Sequence, residues 1–559
     1  MKLPIGVSDF KDLIKGEYLF ADKSLFAKDV MEDGAKVVLI TRPRRFGKTL
    51  NLSMLYYFLR QNHIADENLF KDLNISKDTE FCAKHQHQHP VIFVTFKDIK
   101  QDSYKESYAD IVTLMSNLYE DHSYLLDGNI LSESEKRIFR AVQDQTASLS
   151  NIREALKKLS KYLKKKFKKP VIILVDEYDT PIQEAYLQNY YEDMIKLMRS
   201  IFGQALKDNE YLDKAIITGI TRISQESLFS GLNNIEVYSV LREEYGQYFG
   251  FTEIEVSQLI TQTEQEIFLH FITEWYNGYQ VGKYILYNPW SIISCLKNQG
   301  KLQSYWINTA SNDLVAKLLR NAKFSTKQQF EQLLQGNIIE QPISENLVFA
   351  NIEKREEALW SLLLYAGYLK VLSTELGNYQ LKARIAIPNK EVSFIYGNII
   401  ANWFGEAISL DAYGEFVKSL ADGEMIRFKE ILSSYIMQTG SYFDFNSNTA
   451  EQVFHSFILG LVVGLRGDYI ISSNQESGLG RLDVILIPKN ELKNGILLEF
   501  KTSTTPELLL DKAREALEQI KDKKYISTFK QHNINSVSAI GLAFCGKQVE
   551  MIHENISIT

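Results

Sequence analysis

Cysteine is scarce in this chain. The three present, Cys82, Cys295 and Cys545, are isolated and form no CxxC pair. Neither a disulfide framework nor a structural zinc site is therefore expected, and a reducing compartment fits. Long apolar runs are missing too. The most apolar stretch, Phe457–Leu465, falls far short of the roughly 20 residues that span a bilayer, so no membrane partner is expected. Met1-Lys2-Leu3-Pro4 leads straight to Gly6 and Asp9 without the apolar segment of a secretory signal. A cytoplasmic location is the expectation. Positive charge is not in excess either: 63 Lys+Arg against 70 Asp+Glu give a net charge of -7. Any nucleic-acid contact must then be a local patch, not a basic coat. Internal repeats and low-complexity tracts are absent. The 559 residues, 45% hydrophobic and 24% charged, suffice for about three or four domains, each burying its own core.

The most informative residues lie near the C-terminus. Gly480-Arg481-Leu482-Asp483-Val484-Ile485-Leu486-Ile487-Pro488 reads as a buried strand with one acid at its start. Gly495-Ile496-Leu497-Leu498-Glu499-Phe500-Lys501 is equally apolar until Glu499 and Lys501, which stand two apart and so share a strand face. The polar segment Lys489 to Asn494 suits a hairpin that brings Asp483 beside that face. Two carboxylates and an ammonium at one sheet edge have a chemical use. Hard oxygen ligands hold Mg²⁺, which polarises a phosphodiester, and a lysine orients water or stabilises the charge that develops. By itself the pattern equally describes an edge hairpin with solvated charges.

Its surroundings resemble the PD-(D/E)XK nuclease superfamily. Upstream, Ala450-Glu451-Gln452-Val453-Phe454-His455 opens an apolar helix running to about Leu465; downstream, Lys512 to Lys521 reads as a helix that includes Gln519, followed by Tyr525. The stretch from Ser473 to Asp483 is similar to one branch of that superfamily, which follows an AAA-ATPase-like domain in bacterial proteins. The resemblance implies that Asp483 and Glu499 ligate Mg²⁺ (or Mn²⁺), that Lys501 is catalytic, that Glu451 is an auxiliary acid and that Gln519 supports them.

In the N-terminal half, Val37-Val38-Leu39-Ile40-Thr41 suits a buried parallel strand. It runs into Arg42-Pro43-Arg44-Arg45-Phe46-Gly47-Lys48-Thr49 and then a helix from Leu50 to Arg60. Strand, loop, Gly-Lys-Thr and helix is the layout of a phosphate-binding loop. Gly47 and the helix N-terminus would cradle phosphates, Lys48 would reach the β/γ-phosphates of ATP, and Thr49 would bind Mg²⁺. Arg42 stands where G-x-x-x-x-G-K-[ST] has its first glycine, so a basic surface turn remains open at this point. Val171-Ile172-Ile173-Leu174-Val175-Asp176-Glu177 adds a strand ending in two acids. Asp176 would hold Mg²⁺ through water, and Glu177 would activate the hydrolytic water. Val91 to Phe96 and Ala215 to Thr218 fit the same sheet, the latter running into Gly219-Ile220-Thr221-Arg222, where Arg222 is the candidate nucleotide-sensing arginine. Two other features read as inert: the alternating His85, His87 and His89 as a polar loop, and the lysine-rich Lys161 to Lys169 as a solvated helix face.

These motifs, with Pro4-Ile5-Gly6, Phe20-Ala21-Asp22-Lys23, Asp176-Glu177-Tyr178-Asp179, Trp275-Tyr276-Asn277-Gly278-Tyr279 and Tyr287-Asn288-Pro289-Trp290, resemble the bacterial AAA-ATPase-like family. That family shares the missing first glycine, which leaves tight binding and fast hydrolysis open. The expected α/β architecture has three parts: a P-loop NTPase-type parallel sheet with helices over residues 1–295, a helical, winged-helix-like middle over 296–447, and a PD-(D/E)XK restriction-endonuclease-like domain over 448–559. The middle includes an apolar helix from Leu359 closing at Gly367 and an alternating strand from Tyr379 to Ile387. The expected activity is ATP binding and hydrolysis coupled to Mg²⁺-dependent phosphodiester cleavage, with DNA as partner and RNA left open. The other reading is a nucleotide-dependent switch or scaffold whose nuclease fold binds without cutting. Sheets of this kind often work in rings, so a homo-oligomer is open.

Overall fold

The run Val37–Thr41 forms strand β1 with all five residues buried, as an apolar, β-branched segment covered on both faces must be. A computed structural model describes the chain except residues 1, 62–67, 223–233, 264–268, 307–310, 321–323, 346–351, 353–354, 378–379, 404–409, 440–457, 459–460, 478–479, 504, 523–528, 531 and 559. The chain divides into two compact units, one of residues 1–302 with 341–383, the other of 303–340 with 384–559. The division expected at 295/296 and 447/448 is finer than this, and the second boundary falls within residues 440–457, outside the described residues.

The first unit is built on a five-stranded sheet. Its strands are β1, β2 (Val91–Thr95), β3 (Val171–Asp176), β4 (Leu212–Gly219) and β5 (Ile235–Tyr238), in the order β2-β3-β4-β1-β5. Every neighbouring pair is parallel. Strand β4 is inserted between β1 and β3, which is the additional-strand form of the P-loop NTPase sheet. The two further runs expected in this sheet, Val91 to Phe96 and Ala215 to Thr218, are its strands β2 and β4. Parallel strands leave their C-terminal ends along one edge, where ligand groups collect. Thr41, Thr95, Asp176 and Gly219 all stand at that edge. A short hairpin of β6 (Tyr279–Val281) and β7 (Tyr284–Leu286) precedes the helix Pro289–Lys297.

Further along, β8 (Ile339–Ile343), β9 (Lys370–Leu376) and β10 (Leu381–Ala386) form a three-stranded sheet in the order β8-β10-β9. Strand β10 is the alternating segment expected there. The apolar helix before it spans Glu356–Tyr365.

The second unit carries a mixed sheet of β11 (Tyr469–Ser477), β12 (Gly480–Pro488), β13 (Gly495–Thr502), β14 (Ser536–Cys545) and β15 (Gln548–Ser557), paired in chain order. Only β13 and β14 run parallel; the other pairs are antiparallel. The parallel pair needs a crossover, and the helix Leu509–Asp522 lies within it. Leu517 and Ile520 of that helix pack on Ile485, Ile487, Leu497 and Ala539 of the sheet. The helix approaches β14 so closely that a Cβ at Gly541 would lie 2.7 Å from the backbone nitrogen of Leu517 and against the carbonyl of Ala513.

Candidate functional site

The phosphate-loop residues follow β1 directly. Arg45 and Gly47 hold left-handed backbones, φ 65° and 82°, and Gly47 caps the helix Lys48–Leu59. A glycine tolerates that φ without the Cβ clash that a larger residue meets. Lys48 is buried, and its Nζ donates to the carbonyls of Arg42 at 3.1 Å and Pro43 at 2.8 Å. Burial pulls its pKa down, while Glu177, Asp176 and Asp179 pull it up and Arg44 opposes them.

Thr49 and Asp176 meet although 127 positions separate them: Thr49 Oγ1 donates to Asp176 Oδ2 at 2.8 Å. Two further hydroxyls reach the same carboxylate, Thr218 Oγ1 on Oδ1 at 2.8 Å and Thr95 Oγ1 on Oδ2 at 3.3 Å. Asp176 is fully buried. Burial, with Glu177 adding like charge, raises its pKa against the pull of Thr49, Thr218 and Lys48. Glu177 sits just past β3 at φ 49° and accepts from Thr180 Oγ1 at 3.1 Å. The structure therefore brings Lys48, Thr49, Asp176 and Glu177 to one place. Arg222 follows β4 by three residues, and its charge bears on the buried Tyr365 hydroxyl.

Sequence reasoning assigned no role to Asp179. This buried acid accepts on Oδ2 from the N–H of Ile220 and of Thr221 at 3.0 Å each, from Thr221 Oγ1 at 3.1 Å and from Gln183 Nε2 at 2.9 Å. It thereby fastens the Ile220–Thr221 segment to the acid-bearing turn. Its membership of the Asp-Glu-Tyr-Asp motif was the one available signal.

Arg42, in the place of the first glycine, is no phosphate ligand. Its side chain is wholly buried, and its guanidinium donates to the carbonyls of Thr41 and Tyr238 at 2.8 Å and of Glu244 at 3.1 Å, with the Phe249 ring 5.6 Å away. Burial lowers its pKa to about 9, so it stays charged at neutral pH. The rest of the loop is clasped by downstream motifs. Asn288, which caps the helix Pro289–Lys297, donates to the carbonyl of Arg44 at 3.4 Å. Trp290 carries the Arg45 guanidinium 4.1 Å from its ring centroid, and the Phe46 ring meets Tyr279 edge-on at 5.0 Å.

In the second unit, β12 and β13 form the expected hairpin across residues 489–494, and their register runs Leu486↔Ile496, Ile485↔Leu497, Val484↔Leu498. Asp483 precedes Val484 on β12 and Glu499 follows Leu498 on β13; the side chain of Asp483 lies outside the described residues. Glu499 is buried and pairs in register with Gly541 of β14. Lys501, two residues on, is half-buried, and its charge reaches Glu515 on the helix Leu509–Asp522. Gln519 lies on that helix and is half-buried. Glu451 and Tyr525 lie outside the described residues.

The donors at both sites are hydroxyl and carboxylate oxygens. Among the described residues no cluster of three or more His, Cys, Asp or Glu could cage a metal. Magnesium fits such a set, because it takes one or two carboxylates and leaves its other positions to water and substrate phosphate.

The features read as inert are engaged by contacts within the protein. Lys161 and Lys165 pair with Glu135 at 2.9 and 2.6 Å, Lys166 lies over Tyr124, and Lys169 donates to the carbonyl of Gln88. His85 ends the helix Thr79–His85 and is not in a loop; it stacks on His89, while His87 turns to the carbonyl of Arg60. Among the described residues no helix is long and apolar enough to cross a membrane.

Comparison with known proteins agrees with the two-part reading. Residues 4–229 match the AAA-ATPase-like family model, described as "Predicted AAA-ATPase", and residues 449–554 match a model of the PD-(D/E)XK nuclease superfamily. An uncharacterized protein in the vnfD 5' region of Azotobacter chroococcum is 23% identical over 554 residues, covering 97% of this chain and 96% of that protein. Among solved structures, a Walker-type ATPase of Pyrococcus abyssi is similar at a TM-score of 0.37 and 13% identity, covering 68% of this chain and 96% of that one. This chain joins an AAA-ATPase-like domain to a domain of the PD-(D/E)XK nuclease superfamily.

Proposed function

We propose that the protein binds and hydrolyses ATP at the first site and, under that control, cleaves phosphodiesters of DNA at the second. The observation that carries the reading is the Thr49–Asp176 bond of 2.8 Å, which unites the Gly-Lys-Thr helix start with the acid-bearing strand. Lys48 would meet the β/γ-phosphate oxygens, and backbone N–H groups at the helix start would hold the others. Thr49 and, through water, Asp176 would hold Mg²⁺. Bound there, Mg²⁺ draws charge from the phosphate oxygens. Glu177 would accept a proton from the attacking water.

At the second site Asp483 and Glu499 would hold Mg²⁺ or Mn²⁺, and Lys501 would orient the attacking water or stabilise the charge that develops. Gln519 would support this arrangement, and Glu451 would serve as an auxiliary acid. We assign the nucleotide part to residues 1–295, the winged-helix-like middle to 296–447 as the element that passes on nucleotide state, and the nuclease part to 448–559.

The test is Mg²⁺- or Mn²⁺-dependent cleavage of double- and single-stranded DNA by wild type, Asp483→Ala and Lys501→Ala, each with and without ATP. Cleavage that is lost in both variants and altered by ATP supports the reading. Cleavage indifferent to ATP refutes the coupling. No cleavage of either DNA shifts the assignment to RNA or to a non-cutting switch.

A further inference from the structure

The loop Arg42-Pro43-Arg44-Arg45 carries three guanidinium groups beside a phosphate site, and their surroundings separate them sharply. Arg42 is buried and spends its donors on the carbonyls of Thr41, Tyr238 and Glu244. Arg45 stacks on Trp290. Arg44 is half-buried, and among the described residues its guanidinium meets the neutral amide of Gln183 alone, through one long hydrogen bond of 3.4 Å. That contact carries it from the loop after β1 across to the helix Thr180–Leu187, which follows the Asp176–Asp179 turn. It therefore links the phosphate loop that precedes Thr49 to the helix that follows Asp176 and Glu177. Its charge also bears unfavourably on the Lys48 ammonium. Two cations that feel each other's charge in one loop are relieved by an anion placed near both.

We propose that Arg44 is the arginine that contacts the terminal phosphate of the bound nucleoside triphosphate, supplied in cis by the phosphate loop itself, with Gln183 holding it in place. The inference rests on the nucleotide-binding reading above. It differs from an arginine provided by a neighbouring subunit and from Arg222 acting as the sensor. A guanidinium fork suits two phosphate oxygens at once, whereas an ammonium offers a single point charge. Gln183 is also bound to Asp179, which clamps Ile220 and Thr221. Movement of Arg44 onto phosphate is thus felt first at Gln183, two hydrogen bonds, through Asp179, from the segment that leads to Arg222.

The experiment measures binding of Mg²⁺ complexes of N-methylanthraniloyl-ATP and -ADP, and ATP turnover across a range of protein dilution. It uses the full chain as wild type, Arg44→Ala, Arg44→Lys, Gln183→Glu and Lys48→Ala. Arg44→Ala should erase about tenfold or more of the preference for triphosphate over diphosphate while changing diphosphate binding less than about twofold, and should lower turnover by about 10³-fold. Arg44→Lys should recover part of the binding but not the turnover. Gln183→Glu, which gives Arg44 a carboxylate to pair with, should lower the triphosphate preference in a chain whose loop is otherwise intact. Wild-type turnover per chain should not change on dilution. Arg44→Ala with wild-type preference and turnover, or turnover that falls away on dilution, overturns the assignment of Arg44 alone. Wild type that binds neither nucleotide, or Lys48→Ala that binds as wild type does, overturns the nucleotide reading and this inference with it.

Discussion

Replacing Arg42 by glycine would restore the usual phosphate-loop pattern on paper, and the structure predicts that it damages the protein. The Arg42 guanidinium ties the end of β1 to the carbonyls of Tyr238 and Glu244, 196 and 202 positions away, besides its own neighbour Thr41. Arg42→Gly strips both distant carbonyls of their donor, that of Tyr238 in a buried setting and that of the exposed Glu244 where water can replace it. A buried group left unpaired costs about 1–3 kcal/mol, which the Tyr238 carbonyl incurs and the Glu244 carbonyl largely escapes. The freed backbone adds about 0.5–1 kcal/mol of unfolding entropy at the new glycine. Relief from holding a buried charge, whose burden is visible in the fall of the arginine pKa to about 9, recovers part of this. A net loss of about 2 kcal/mol is expected, with ATP affinity unchanged or weaker. Urea unfolding followed by circular dichroism, with and without Mg²⁺-ATP, measures it. Arg42→Met serves as companion, filling the space without donors, and should lose nearly as much. An Arg42→Gly protein that unfolds at the wild-type midpoint and binds ATP more tightly would refute the reasoning, since Arg42 would then be a defect in the loop and not its fastening.

Two further predictions concern packing and charge. Gly541→Ala sets a methyl against backbone atoms of Ala513 and Leu517 that cannot rotate away, so the helix Leu509–Asp522 must lift, at a cost of about 1–3 kcal/mol. Hydrogen exchange at the β14 amides should quicken, and metal-dependent cleavage should fall because Glu499 pairs in register with Gly541; wild-type exchange would count against the close approach. Burial alone would raise the Glu135 pKa, yet the Lys165 ammonium, the Ser132 N–H and Lys161 together hold it at about 2. A carboxyl depressed in the folded state adds stability above its unfolded pKa of about 4.3, and loses that contribution as pH falls towards 2. Glu135→Gln keeps a group able to close the capping box with Ser132 but forfeits the lysine pairs. The stability gap to wild type should be full at pH 6 and shrink between pH 4.5 and 2.5 in urea titrations; a gap that does not vary with pH would contradict the ion-pair origin.

Much of both sites was legible in the residues because each is delivered by a strand buried on both faces. Val37–Thr41 and Val171–Asp176 stand out as continuous apolar runs, and the chemistry begins where each run stops. The hairpin of β12 and β13 was readable for the same reason, with Lys489 to Asn494 as its polar turn. Strands β11, β14 and β15 were not identified. Ser473 to Ser477 is polar enough to read as a motif-bearing loop, and β15 has an exposed stretch, His553 to Asn555, where alternation fails. Thr95 and Thr218 were seen only as members of strands. Their role on Asp176 depends on strand order, because β2 and β4 flank β3 on opposite sides. No local spacing encodes that. Asp179 was hidden for a like reason, its partners Ile220 and Thr221 lying 41 and 42 positions downstream.

The arginine-rich loop shows how far the nucleotide part must extend. A phosphate loop with its first glycine bends through backbone freedom and needs little outside help. Here Pro43 removes freedom and Arg42 fills the space, so the loop takes its shape from outside partners. Those partners include the carbonyls of Tyr238 and Glu244, the Phe249 and Tyr279 rings, Asn288 and Trp290. These six lie beyond residue 229, where the match to the AAA-ATPase-like model ends, whereas Gln183, which holds Arg44, lies within it. The Trp-Tyr-Asn-Gly-Tyr and Tyr-Asn-Pro-Trp motifs therefore belong with the phosphate loop physically, although over 200 positions separate them from it. A sheet with β1 to β5 alone would keep Lys48, Thr49 and Asp176 but lose most of what fixes residues 42–46. An N-terminal part that ends no earlier than Trp290 is the smallest that keeps the loop's shape, which is the reason for proposing its limit near residue 295.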